Sequence, residues 1–200
     1  MSTLLTTNLK NPSSGSNNIV LNTDGTTTVS TLSSTTITGT TIQGTIKSGT
    51  AVASTSGTAI DFTGLPSWVK RITVMFEGVS LSGTSSFLIQ LGDSGGIETT
   101  GYSGGGARYT ATTVAGASFT TGLGSNNTTA AAAYSGNIVW TNTSGNTWVG
   151  SLSLGATSTE FGCVGGSSKT LSAVLDRIRI TTVNGTDTFD AGSINILWEG

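Results

Sequence analysis

The sequence has no histidine, one cysteine (Cys163) and two prolines (Pro12 and Pro66) in 200 residues, and only 9% of its side chains are charged. Without histidine the commonest general base and the commonest transition-metal ligand are missing. One cysteine permits neither an intrachain disulfide nor a thiolate metal cluster. Eight basic residues and a net charge of −2 do not make a nucleic-acid footprint. No apolar run approaches the length of a membrane span, so no membrane insertion is expected. Met1–Lys10 has neither a basic stretch nor a continuous apolar core. No signal peptide is therefore expected, and synthesis is expected in a cytoplasm.

Thr, Ser, Gly and Asn fill the space that charge leaves. Such a surface must be solvated by hydroxyls and amides, which suits strands because Thr is β-branched and stiff at χ1. The same residues are mediocre or poor in helix interiors, and no stretch keeps a 3.6-residue apolar period. The expected class is all-β.

Residues 1–58 and 59–200 differ in composition. The first region has three charged side chains, Lys10, Asp24 and Lys47, and no aromatic ring. Its apolar residues are single and spaced, too few to offset backbone ordering at about 1–2 kcal/mol per residue. A linker is one reading. The other is a fibrous stalk in which several copies pool Ile37, Ile42 and Ile46 around a common axis, with Gly39 and Gly44 at tight turns. Asn18–Asn22, Asp24-Gly25 and Thr26–Val29 read as a hairpin, since Asp-Gly is a strong turn signal.

From residue 59 the alternation of strands takes over. Ile72, Val74 and Phe76 share one face, with Arg71, Thr73, Met75 and Glu77 on the other. Phe87, Ile89 and Leu91 share a parity, as do Ile138 and Trp140, and Trp148, Leu152 and Leu154. Leu171, Ala173 and Leu175 open a strand whose parity changes near Asp176, the mark of a β-bulge. Asn184-Gly185 reads as a turn, and Ile194, Ile196 and Trp198 close the chain. Eight or nine strands between Gly-rich turns indicate an antiparallel sandwich, jelly-roll-like, with three of the four tryptophans at or near its core.

Reaction chemistry finds little to work with. Nucleophilic catalysis lacks its base, and no Gly-x-Ser-x-Gly elbow exists. The carboxylates sit mostly in turns such as Asp93–Gly96 and Asp187–Asp190, where Asp usually caps its own backbone. Gly165–Thr170 has no glycine before its lysine and no following helix, so it is not a phosphate loop. A calcium site through Asp187 and Asp190 is an alternative to turn capping, but no metal and no cofactor is expected. A non-enzymatic role follows. What remains is surface: the Gly-rich tract 92–136 carries Tyr102, Arg108, Tyr109 and Tyr134. Aromatic rings on loops suit binding to a host-surface glycan or protein, and the same rings could instead cap the sandwich or pack between subunits.

Several blocks resemble virion proteins of tailed bacteriophages. The opening Asn8–Gly25 is similar to the start of virion structural proteins of cyanophages and other tailed phages. Phe62–Phe76, Leu91–Glu98 and Arg177–Ile194 resemble a module of phage tail-fibre proteins. The resemblance implies a homotrimer in the virion. Its N-terminal segment would dock on other virion proteins of tail, baseplate or capsid, with Asn8, Pro12, Ile19 and Leu21 as candidates for that attachment. Its C-terminal end would face the host. A short tail or baseplate fibre that adheres to the host is the expectation. A head fibre or capsid decoration protein, or a carbohydrate-binding module, is the alternative.

Overall fold

In a computed structural model the described residues are 46–130, 132–157 and 160–200, with the short stretches 8–9, 13, 19–21, 23 and 27–29. The chain divides into two compact units, Met1–Gln43 and Gly44–Gly200.

In the first unit β1 (Asn8–Leu9), β2 (Ile19–Leu21) and β3 (Thr27–Val29) form an antiparallel sheet in that order. Ile19 lies opposite Val29 and Leu21 opposite Thr27, the pairing that a hairpin around Asp24-Gly25 requires. Ile19 and Leu21 thus share a strand, and Asn8 pairs with Val20 beside them. Pro12, Ile37 and Ile42 lie outside the described residues.

The second unit begins with three short strands, β4 (Ile46–Ser48), β5 (Val52–Ala53) and β6 (Ala59–Thr63). Long β7 (Arg71–Leu81) and β8 (Phe87–Asp93) follow, with β9 (Gly96–Ile97) closing a tight turn. The middle holds β10 (Tyr102–Thr110), β11 (Val114–Phe119) and β12 (Leu123–Gly124). Then come the meander β13 (Tyr134–Ser144), β14 (Thr147–Ala156) and β15 (Glu160–Thr170), and finally β16 (Leu175–Thr182) and β17 (Phe189–Glu199).

These strands make an antiparallel β-sandwich. One sheet has nine strands in the order β11-β10-β15-β14-β13-β7-β17-β4, with β5 also on β17. The other has five, β12-β8-β16-β6 with β9 on β8. The chain crosses between the sheets from β6 to β7 to β8 and again from β15 to β16 to β17, the jelly-roll-like part of the topology. The core forms where the inward parities meet: Ile72, Val74, Ile138, Trp140 and Ile194 from the large sheet, Phe87, Ile89, Leu91 and Ile178 from the small one. Full burial of each such side chain contributes about 1.5–3 kcal/mol. Phe87 lies at the centre of the aromatic contacts, edge-on to Phe76 at 5.2 Å and Tyr134 at 5.4 Å, and stacked on Phe189 at 6.4 Å. Trp140 and Trp148 are buried and Trp198 packs against the core, while Trp68 is exposed.

Two boundaries differ from the expectation. Ile46–Ser48 and Val52–Ala53, placed by composition in the stalk, pair with β17 because its outer edge would otherwise be open. The strand expected to open at Leu171 opens at Leu175 instead. Leu171 is buried as its parity suggests, but its N–H goes to the Asn146 carbonyl (3.0 Å) rather than into a ladder. The bulge at Asp176 is present as a register shift between Leu175 and Arg177.

Candidate binding surface

The Gly-rich tract 92–136 is largely strand, not loop. Gly106 in this tract serves close packing, as does Gly165 in β15: a Cβ on Gly106 would sit 2.6 Å from the Gly124 carbonyl oxygen, and one on Gly165 3.2 Å from it. Bare backbone at 106 and 165 lets β12 lie against the inner face of β10 and β15, a recognised use of strand glycine.

This arrangement separates the four expected contact residues. Tyr102 and Tyr134 are buried, which corrects their assignment to the surface. Both stand at inward positions of their strands. Tyr102 reaches from β10 to β8, where its hydroxyl accepts the Leu91 N–H at 2.7 Å, and burial pushes its ionisation well above the ordinary range. Tyr134 packs edge-on against Phe87. Arg108 is half-buried on the strand face opposite to Tyr109, because neighbours on a strand alternate. Only Tyr109 lies on the outside, 37% exposed.

Tyr109 sits beside the Thr110–Thr113 turn. That turn is closed by a hydroxyl and by the backbone: Thr110 Oγ1 accepts the N–H of Thr113 at 3.1 Å, and Thr110 N–H donates to the Thr113 carbonyl at 2.9 Å. Tyr109 pairs with Val114 on one side and Gly162 on the other. Its ring lies against Gly162, where a Cβ would come within 2.6 Å of the Tyr109 hydroxyl. Phe161 and Val114 are exposed next to it. The sequence reading missed both. The available signal was an aromatic residue directly before a glycine within an alternating run.

This group occupies one end of the sandwich. Ile46, where the described part of this unit begins, pairs with Glu199, and Glu199 with Arg71, at the opposite end. Ile46 thus joins the edge of a sheet within its own chain and is 61% exposed there.

A charged cluster sits at the Ile46 end. Lys169 is buried, ion-paired to Glu98 and 5.4 Å above the Tyr102 ring. Glu98 also accepts the Ser172 N–H at 2.7 Å. Burial pushes the Glu98 carboxyl up, but hydrogen bonds from Lys169 and Ser172 outweigh it and hold the group below its ordinary value. Asp93 is lowered mainly by the Ser172 hydroxyl, at 2.7 Å, and by the Gly95 N–H, at 2.8 Å. The cluster ties three loops together. Asp93 caps its own turn as expected.

No protein-family model matches the chain, and neither does any curated protein or solved structure. Among the described residues no group of three or more Asp, Glu or Cys is placed to share a metal ion. Asp187 accepts from Ser85 N–H and Asn184 Nδ2, both at 2.8 Å, whereas Asp190 pairs with the Ser80 hydroxyl. Arg71, Arg177 and Arg179 are ion-paired to Glu199, Asp176 and Asp61, and the two bonds from Arg179 to Asp61 are each 2.7 Å.

Proposed function

We propose that this chain is a non-enzymatic structural protein of a phage virion, a short trimeric fibre of the tail or baseplate that attaches through its N-terminal unit and adheres to the host through its sandwich. The observation that carries the adhesive part is the group Tyr109, Val114 and Phe161, exposed at the end of the sandwich remote from Ile46. Aromatic faces beside hydroxyl-rich turns suit a sugar ring, which offers both C–H faces and hydroxyls. Weak single sites suffice in a trimer, because several copies raise the effective concentration. The resemblance of Asn8–Gly25 and Phe62–Phe76 to virion proteins supports the rest of the reading.

The test is localisation. An antiserum raised against the chain should label the tail or baseplate of purified particles that encode it. Label on the capsid would replace the adhesive reading with decoration, and unlabelled particles would end the virion reading altogether.

A further inference from the structure

The outer face of the nine-stranded sheet points to an unfilled contact. One transverse row across it runs Gly105, Gly166, Ser151, Val139, Thr73 and Leu197, as the strand registers set out. The neighbouring rows carry Val164 (47% exposed) and Val149 (43%), and the far edge carries Ile46. No Asp, Glu, Lys or Arg stands at an outward position of β10, β11, β13 or β14, or of Val164–Thr170 in β15. The nearest charges on this face are the Arg71–Glu199 ion pair, which neutralises itself, and Glu77. Gly105, Ala107, Gly116, Ser118 and Val164 line a shallow trough.

Three glycines of this face are unlike those of the inner face, whereas a Cβ on Gly105 would sit 3.1 Å from the Ala117 carbonyl oxygen. A Cβ on Gly116 would meet nothing closer than 3.8 Å, one on Gly155 nothing closer than 3.9 Å, and one on Gly166 nothing closer than 3.5 Å. None of the three has a positive φ. The fold of the single chain therefore does not require glycine at these positions. Glycine in strands is also used where another backbone must approach closely.

We infer that this face, from the row of Ala107 and Val164 to the row of Ser103 and Val149 and so short of Tyr109 and Val114, is the contact between copies of the chain, sheet outer face against a second copy. The inference rests on the self-associating part of the proposed function. Three features of the face select a second copy as its occupant. An uncharged face gives a charged partner nothing to recognise, but it meets its own kind without desolvating an ion. Rows of Ser and Thr hydroxyls both donate and accept, so they complement themselves. Five uncharged strands at about 4.8 Å and six residues at about 3.4 Å give a face of about 500 Å², and β7 and β17 with their ion pair extend it to about 700 Å², close to the ~800 Å² per partner that a stable interface buries.

The test uses the full chain and two substitutions that the isolated fold accommodates, Gly166→Arg and Gly116→Arg. Wild-type protein should sediment as an oligomer at micromolar concentration, and each variant should raise the dissociation concentration tenfold or more with an unchanged circular dichroism spectrum. Val183→Arg, at an exposed turn off this face, should leave association unchanged. As a second measurement, Ser151→Cys should give interchain products with a short bis-maleimide while Val183→Cys does not. Oligomeric variants, with no crosslink at Ser151→Cys, overturn this interface and leave self-association standing. A monomeric wild type overturns both.

Discussion

The Tyr102 hydroxyl holds the backbone of Leu91 across the sandwich, accepting its N–H at 2.7 Å and lying 3.3 Å from its carbonyl oxygen. A side chain of the large sheet thereby satisfies main-chain groups of the small one at a buried position, where an unpaired N–H costs more than a hydrogen bond returns.

Tyr102→Phe should therefore destabilise the sandwich by about 1–3 kcal/mol, because Leu91 N–H stays buried without its acceptor. Urea unfolding should show a lower midpoint at an unchanged slope. A midpoint equal to wild type would mean that water or another group replaces the hydroxyl.

Stability should fall with acid through Glu98 and Asp93. Both carboxyls sit below their ordinary values in the folded state. Their contribution is thus complete above the unfolded values and is lost as pH falls through the folded ones, from about pH 5 downward. Glu98→Gln should flatten part of this dependence. It should also cost about 3 kcal/mol at neutral pH, since it leaves Lys169 buried without its counter-ion. Thermal midpoints between pH 3 and pH 7 read both effects.

Inner and outer glycines should respond differently to alanine. Gly106→Ala places its methyl against the Gly124 carbonyl and should cost about 1–3 kcal/mol. Gly155→Ala meets ordinary space and should change the stability of the single chain by no more than about 0.5 kcal/mol. Equal losses at both sites would contradict the packing of β12 on β10.

Binding and folding should separate between two tyrosines. Tyr134→Ala empties a core position and should cost about 3–5 kcal/mol of stability. Tyr109→Ala should leave stability nearly unchanged. If the exposed end contacts the host, it should weaken adsorption by about 1–3 kcal/mol in affinity, with Phe161→Ala acting in the same direction. Adsorption that survives the double variant would move the adhesive site elsewhere.

Local pattern was enough to read the class of fold and several of its registers. Ile72, Val74 and Phe76 alternate with polar residues, and alternation with a period of two leaves a buried face only in a strand. The pairing of Ile19 with Val29 and the bulge at Asp176 were legible for the same reason: turn chemistry and parity act over a few residues. The role of glycine was not legible. Between residues 92 and 136 it reads as loop, yet Gly106 lies inside a strand because β12 packs on it, as it packs on Gly165 of β15, distant in sequence. That contact also decided the tyrosines. Tyr102 and Tyr109 look alike in the sequence, seven residues apart in one strand, but an odd spacing sends them to opposite faces. Which face is covered depends on where the second sheet lies, and no local property of the chain carries that information.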